Sequence, residues 1–181
     1  VIVVRYVFFA IILDVTYTTT IPTSPARMMA EISQSLPDNA IIVDDSLSNR
    51  TSLRRFIHAQ MRGDIIGVRG QSIGGGIGAT MGVQCANPMK KVFGIIGDGS
   101  AMMTIQGLWT AANENIPCVF IICNNGMYRI LKTNYSIYQK DVLGEIEIAG
   151  PNLLHADFEM PFDMASIANS MGVYGERIDR P

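Results

Sequence analysis

The stretch KVFGIIGDGSAMMTIQGLWTAANENIPCVFIICNNG, residues 91–126, decides the fold. It opens on the apolar run Lys91–Ile96 and closes on a second, Pro117–Cys123, and neither run alternates with polar residues. Continuous apolar strands are covered on both faces, which points to a parallel sheet. Between the runs, Ile105, Leu108, Trp109 and Ala112 recur at i, i+3, i+4 and i+7, one face of a helix. The unit reads as strand, helix, strand, and a right-handed crossover can set the two strand ends side by side.

The same alternation extends outward. Ser24-Pro25 places a capping residue before a proline at the first helical position, and Met28, Met29, Ile32 and Leu36 follow as a helical stripe that stops at Pro37. Ala40–Val43 is a buried-strand run ending in Asp44-Asp45; residues 48–60 read as helix and Asp64–Val68 as a short strand. The glycine-rich stretch Gly70–Gly78 leads into a helix through Cys85 that closes at Asn87-Pro88. Residues 127–132 read as helix and the stretch from Tyr135 to Pro161 as a long loop. Met164, Ile167, Ala168 and Met171 mark a last helix before a strand over Val173–Ile178. The expected fold class is α/β, a parallel sheet covered by helices on both faces.

The chain has 181 residues, 48% hydrophobic and only 17% charged, against about a quarter charged in ordinary soluble domains. That excludes a disordered segment. A formal net charge of −2 argues against nucleic acid as a partner, because no basic excess is present to hold a phosphate backbone. Cys85, Cys118 and Cys123 are odd in number and lack CxxC spacing, so buried free thiols and a cytoplasmic, reducing setting are expected. Val1–Leu13 is apolar apart from Arg5 but shorter than the roughly 20 residues a membrane span needs. Residues 1–21 are therefore expected to be an apolar edge, with 22–181 the domain, truncated at its C-terminal end.

Ligands of open parallel sheets bind beyond the carboxyl ends of the strands. There the sequence places Gly97-Asp98-Gly99-Ser100 and, 27 positions after Asp98, the Asn125 of Asn124-Asn125-Gly126. Asp98 offers an anionic oxygen and Asn125 an amide oxygen, donors that suit a hard cation such as Mg²⁺ sharing its shell with phosphates. Gly97 and Gly99 allow the backbone to approach a phosphate, and Ser100 opens a helix whose free N–H groups favour an anion. A diphosphate held through Mg²⁺ is the expectation. Asn125-Gly126 alone would also read as a hairpin turn, but its apolar flank does not alternate. Gly74-Gly75-Gly76-Ile77-Gly78 suggests a nicotinamide-binding fold less well, lacking a tightly preceding strand and a following acid at the required interval.

These residues carry a family resemblance. Gly97-Asp98-Gly99-Ser100, Leu108-Trp109-Thr110-Ala111-Ala112, Asn115-Ile116-Pro117 and Cys123-Asn124-Asn125-Gly126-Met127-Tyr128 resemble the thiamine diphosphate motif of the pyruvate decarboxylase, acetolactate synthase and benzoylformate decarboxylase superfamily. The string is most similar to benzoylformate decarboxylase and related 2-oxo acid decarboxylases, over their C-terminal, diphosphate-binding domain. The resemblance implies Mg²⁺ on Asp98, the Asn125 side chain and the Met127 carbonyl, with Gly97, Gly99, Ser100, Gly126 and Tyr128 around the diphosphate. It implies a phosphate contact for Ser48, an aminopyrimidine contact for the Gln71 carbonyl, and a wedge role for Ile73 that bends the cofactor.

It further implies a small 2-oxo acid substrate and a homodimer or homotetramer in which a partner subunit's pyrimidine-binding domain supplies the activating glutamate. No catalytic residue is expected in this chain, and membrane association is not. An acetolactate synthase-like carboligase domain and a non-catalytic cofactor-binding fragment are the alternatives. Three positions depart from the family pattern: Leu47 for a phosphate-contacting threonine, Gly78 for a proline, and Asn134 for a substrate-lining phenylalanine. His58, read as mid-helix, and His155, in the long loop, are not assigned to catalysis, because no nucleophile or base partner is placed beside them.

Overall fold

A computed structural model describes residues 9–14, 24–59, 61, 63–68, 72–144 and 153–178, with β1 described by its backbone alone. In chain order the elements are β1 (Phe9–Asp14), α1 (Pro25–Ser35), β2 (Ile41–Asp45), α2 (Arg50–Phe56), β3 (Ile65–Gly67), α3 (Gly76–Ala86) and β4 (Val92–Gly97). They continue as α4 (Asp98–Met103), α5 (Gly107–Asn113), β5 (Val119–Asn124), α6 (Arg129–Asp141), α7 (Met164–Ser170) and β6 (Tyr174–Ile178). The strands form one parallel sheet in the order β3-β2-β4-β5-β1-β6. The α/β class read from the sequence is the class observed.

Both faces of the sheet are covered, and residue alternation along β4 and β5 shows how. Ile96, Phe120 and Ile122 pack with Ile77 of α3, Ala101 of α4, Leu108 and Ala111 of α5 and Ala168 of α7. Their neighbours Ile95, Ile121 and Cys123 turn to the other face, against Met28 and Met29 of α1 and Leu53 of α2. A strand buried this way needs apolar residues at every position, which is why these runs are continuous. From β2 the chain passes to β3 on one side, then crosses back to β4 on the other. That reversal opens a crevice at the carboxyl ends of β2 and β4, where an open α/β sheet takes its ligand.

Four local features differ from the sequence reading. Residues 1–21 were expected outside the domain, yet Phe9–Asp14 pairs in parallel with both β5 and β6. The helix expected over 48–60 is a 3₁₀ turn, Leu47–Asn49, followed by the shorter α2, and His58 lies exposed beyond its end. The long loop after Tyr135 begins later, because α6 continues to Asp141. Cys85, read as buried, is exposed on α3.

The other two thiols are in the core, and burial pushes both Cys118 and Cys123 up to about 12. A thiolate-directed reagent at mildly alkaline pH should therefore modify Cys85 in the folded protein and reach Cys118 and Cys123 only on unfolding. Rapid native-state modification of all three would contradict this packing.

Candidate functional site

Three strand ends meet at the crevice, and each carries a buried polar side chain: Asp44 and Asp45 on β2, Asp98 just past β4, and Asn124 on β5. Buried charges are tolerated only where hydrogen bonds replace the lost water. Each of these groups is engaged by the loops around it.

Asp98 is 3% exposed and its carboxylate gathers backbone N–H groups from two loops. Oδ1 accepts from Gly99 at 2.9 Å; Oδ2 accepts from Asn125 at 3.1 Å and Gly126 at 2.7 Å. The 27-residue interval read from the sequence thus closes in space. Asn125 Oδ1 accepts from the Met127 N–H at 3.1 Å, and Asn124 Oδ1 accepts from Gly126 at 3.2 Å. Burial holds the Asp98 carboxyl above its ordinary value of 3.8, against the lowering effect of the Gly99, Gly126 and Asn125 amides.

A second centre forms on β2. Asp45 Oδ2 accepts from the Gly76 N–H at 2.9 Å and from the Ser100 hydroxyl. Asp44 accepts from the Ser46 N–H and hydroxyl through Oδ1 and from Arg50 Nε through Oδ2, an ion pair at 3.0 Å. Between these acids and Ser48, Leu47 adopts φ 48°. A leucine in that left-handed region carries a backbone cost of about 1 kcal/mol or more, which the packed surroundings must sustain.

One cleft is lined by Ser48, Gly97, Asp98, Gly99, Ser100, Asn125, Met127 and Tyr128. The structure therefore brings together most of the residues singled out in the sequence. Gly126 stands beside the cleft as a donor to Asp98. Ile73 is half-buried in the turn before Gly74 and does not line this cleft. Gln71 lies outside the described residues. Ser100 lines the cleft at the start of α4, and its hydroxyl proton goes to Asp45. Tyr128 lies so close over Gly99 that a Cβ there would overlap its ring.

The segment after α6, read only as a loop, folds back on the site. Tyr128 N–H donates to Ala156 O at 2.7 Å and Phe158 N–H to Gly126 O at 2.8 Å, around an antiparallel bridge between Met127 and Asp157. Tyr128 meets Phe158 edge-on, with ring centroids 4.9 Å apart, and Lys132 pairs with Asp157 at 2.6 Å. Sequence reasoning had no local signal for these contacts, which join residues 25 or more positions apart. His155 in this segment is exposed, and neither histidine lines the cleft.

The cleft's donors are carboxylate, amide and backbone oxygens, with no group of three or more His, Cys, Asp or Glu side chains among the described residues placed to hold a metal. A carboxylate oxygen has room for more than one donor or ligand, so Asp98 Oδ1 and Asn125 Oδ1 each retain capacity after accepting one N–H. Such a set suits a hard cation that completes its shell with phosphate and water.

Fold and site together define an α/β domain with its ligand crevice at the strand switch point. The chain belongs to the thiamine pyrophosphate enzymes: the family model for the C-terminal TPP binding domain matches residues 49–181. A Mycobacterium tuberculosis protein named as an acetolactate synthase large subunit, IlvX, is 36% identical over 79% of this chain and 27% of its own length. Benzoylformate decarboxylase of Pseudomonas aeruginosa is 37% identical over 61% of this chain and 21% of its own. The solved thiamine diphosphate-dependent 4-hydroxybenzoylformate decarboxylase of Rhodococcus jostii RHA1 superposes with a TM-score of 0.74 at 30% identity, covering 90% of this chain and 29% of that one. The chain thus spans about a quarter of the length of the curated relatives it matches.

The raised carboxyl of Asp45 has a consequence for stability. Its cause is burial first, with the neighbouring Asp44 charge adding, while the Ser100, Gly76 and Gly74 hydrogen bonds pull the other way. Between the ordinary value of 3.8 and the raised one, the folded protein keeps a proton that the unfolded chain has released. This group's contribution to stability is therefore complete below that window and is lost as pH rises through it. Asp45→Asn removes the linkage, so the unfolding free energy of wild type minus variant should fall as pH rises above the ordinary carboxyl value of 3.8. A difference that stays flat or rises in denaturant titrations contradicts the assignment.

Proposed function

We propose that this chain is the diphosphate-binding part of a 2-oxo acid decarboxylase, holding thiamine diphosphate through Mg²⁺. The observation that carries the reading is the Asp98 carboxylate, which gathers the amides of Gly99, Asn125 and Gly126 and so places two oxygen-bearing loops at one crevice. Asp98, the Asn125 side chain and the Met127 carbonyl would hold the cation. Gly97, Gly99, Gly126 and Tyr128, with the Ser48 hydroxyl, would surround the diphosphate, and the Ser100 backbone N–H would contribute from the first turn of α4. Gln71 and Ile73 would contact the aminopyrimidine half. When bound, the cofactor supplies the electron sink for cleaving the bond next to the substrate's carbonyl.

This chain's own residues bind, orient and exclude water. The amides around Asp98 keep its carboxylate aimed without reorganisation when a cation enters. Tyr128, braced edge-on by Phe158, closes one wall of the crevice with apolar surface. A carboligase reading of the same site is favoured by the IlvX relative, whose match extends over more of this chain than that of the benzoylformate decarboxylase. Both readings share cofactor binding and decarboxylation, and they part at the fate of the product: release in one, joining to a second carbonyl compound in the other.

The substrate pocket and activating acid are proposed to come from a partner subunit. Exposed apolar residues support this: Leu131, Tyr135, Tyr138 and Val142 recur at i, i+4, i+7 and i+11 along α6 and its C-cap. Large exposed apolar patches mark interaction surfaces. No helix among the described residues is long and apolar enough to cross a membrane. Concentration-dependent self-association is expected in analytical ultracentrifugation; a monomer at every concentration contradicts it.

Asp98→Asn keeps one acceptor oxygen for the loop amides, turns the other into a donor and removes the charge. Calorimetric affinity for Mg²⁺-thiamine diphosphate should drop roughly 100-fold or more, since a direct ligand is worth at least as much as the outer-shell groups whose loss costs about 10–100-fold, while the circular dichroism spectrum is retained. Wild-type affinity in the folded variant would falsify the reading.

A further inference from the structure

The loop before α3 is locked onto α4 by hydrogen bonds at both ends of one residue. Gly74 donates its N–H to Ser100 Oγ at 2.8 Å, and its carbonyl accepts from Thr104 Oγ1 at 2.7 Å. Two residues on, Gly76 N–H reaches Asp45 Oδ2, the oxygen that also takes the Ser100 proton. Gly74 is buried with φ 96°, and a Cβ there would sit 2.7 Å from Met103 Cβ, so the loop lies directly on α4. Asp45 and Ser100 are each 1% exposed.

The first turn of α4 is therefore shared. Asp98, its first residue, fixes the loop after β5; Ser100, two residues later, fixes the loop that carries Ile73. A hydroxyl has one proton to donate and can accept as well. Ser100 uses both capacities inward, donating to Asp45 and accepting from Gly74.

We infer that Ser100, anchored by Asp45 and seconded by Thr104, is a positioning residue that holds the loop bearing Ile73 in register with the loops around Asp98. The inference rests on the reading of the crevice as a thiamine diphosphate site and extends it. The diphosphate half and the heterocyclic half of the ligand are gripped by separate loops, and Ser100 sets the distance between them. Losing it should loosen the grip on the heterocycle while leaving the grip on the diphosphate.

Inorganic pyrophosphate with Mg²⁺ probes the diphosphate half alone; thiamine diphosphate with Mg²⁺ probes both. In the full chain, Ser100→Ala removes two buried hydrogen bonds and should weaken thiamine diphosphate about tenfold or more. Amide hydrogen exchange at Gly74 and Gly76 should accelerate, with Gly99 and Gly126 unchanged. Thr104→Val, which keeps shape, removes the one bond to the Gly74 carbonyl and leaves every residue proposed around the diphosphate in place, should weaken thiamine diphosphate up to about tenfold, change pyrophosphate affinity by no more than about twofold and accelerate the same amides, and it decides the question if Ser100→Ala does not fold. Equal loss of both ligands, or no loss of either, overturns the inference. Wild-type protein that binds neither ligand overturns the underlying reading of the crevice, and a wild type that binds pyrophosphate as tightly as thiamine diphosphate overturns the two-loop grip.

Discussion

A buried carboxylate must be hydrogen-bonded from several sides, and that requirement shapes the molecule's carboxyl-end face. Asp98 is too deep for water to solvate, so the chain bends Gly99, Asn125 and Gly126 toward it. Asp45 makes the same demand of Gly76 and Ser100. The two acids stand at the ends of adjacent strands, β2 and β4, and between them they tie the loops before α3, at the start of α4 and after β5. Desolvation raises both carboxyls and the amide bonds offset part of that cost. A site that carries such a cost in the folded protein is well suited to a ligand that supplies positive charge.

The hydrophobic layers exist to hold those strand ends in place. Alternate residues of β4 and β5 pack under helices on opposite faces, so a one-residue shift of either strand would send every side chain to the other helix layer. The register that aligns Ile96 with Ile122 and Gly97 with Cys123 therefore also aligns Asp98 with the Asn124-Asn125 turn.

Much of this was legible in the sequence because it rests on local pattern. The apolar runs at 92–96 and 119–123, the Ser24-Pro25 helix start and the Asp98-to-Asn125 spacing are signals a short window can read. Features that stayed hidden depend on partners distant in the chain. The Ser100 proton could not be assigned without seeing Asp45, 55 residues earlier. The back-folding of Asp157 and Phe158 onto Met127 and Tyr128 has no periodicity to betray it. The strand Phe9–Asp14 was apolar enough to read, but its place between β5 and β6 is set by a sheet order that composition does not encode. Cys85 shared the apolar neighbourhood of the other thiols yet faces outward, since helical phase and not composition decides burial.

The central claim is that the loops gathered by Asp98 hold a cation and a diphosphate at the ends of β4 and β5. It is tested most directly by a crystal structure of the chain with thiamine diphosphate and Mg²⁺. The account predicts the cation within about 2.0–2.1 Å of oxygens from Asp98, Asn125 and Met127, with the diphosphate completing its shell. A diphosphate bound away from this crevice, or a cation that leaves Asp98 in its amide contacts alone, would contradict it.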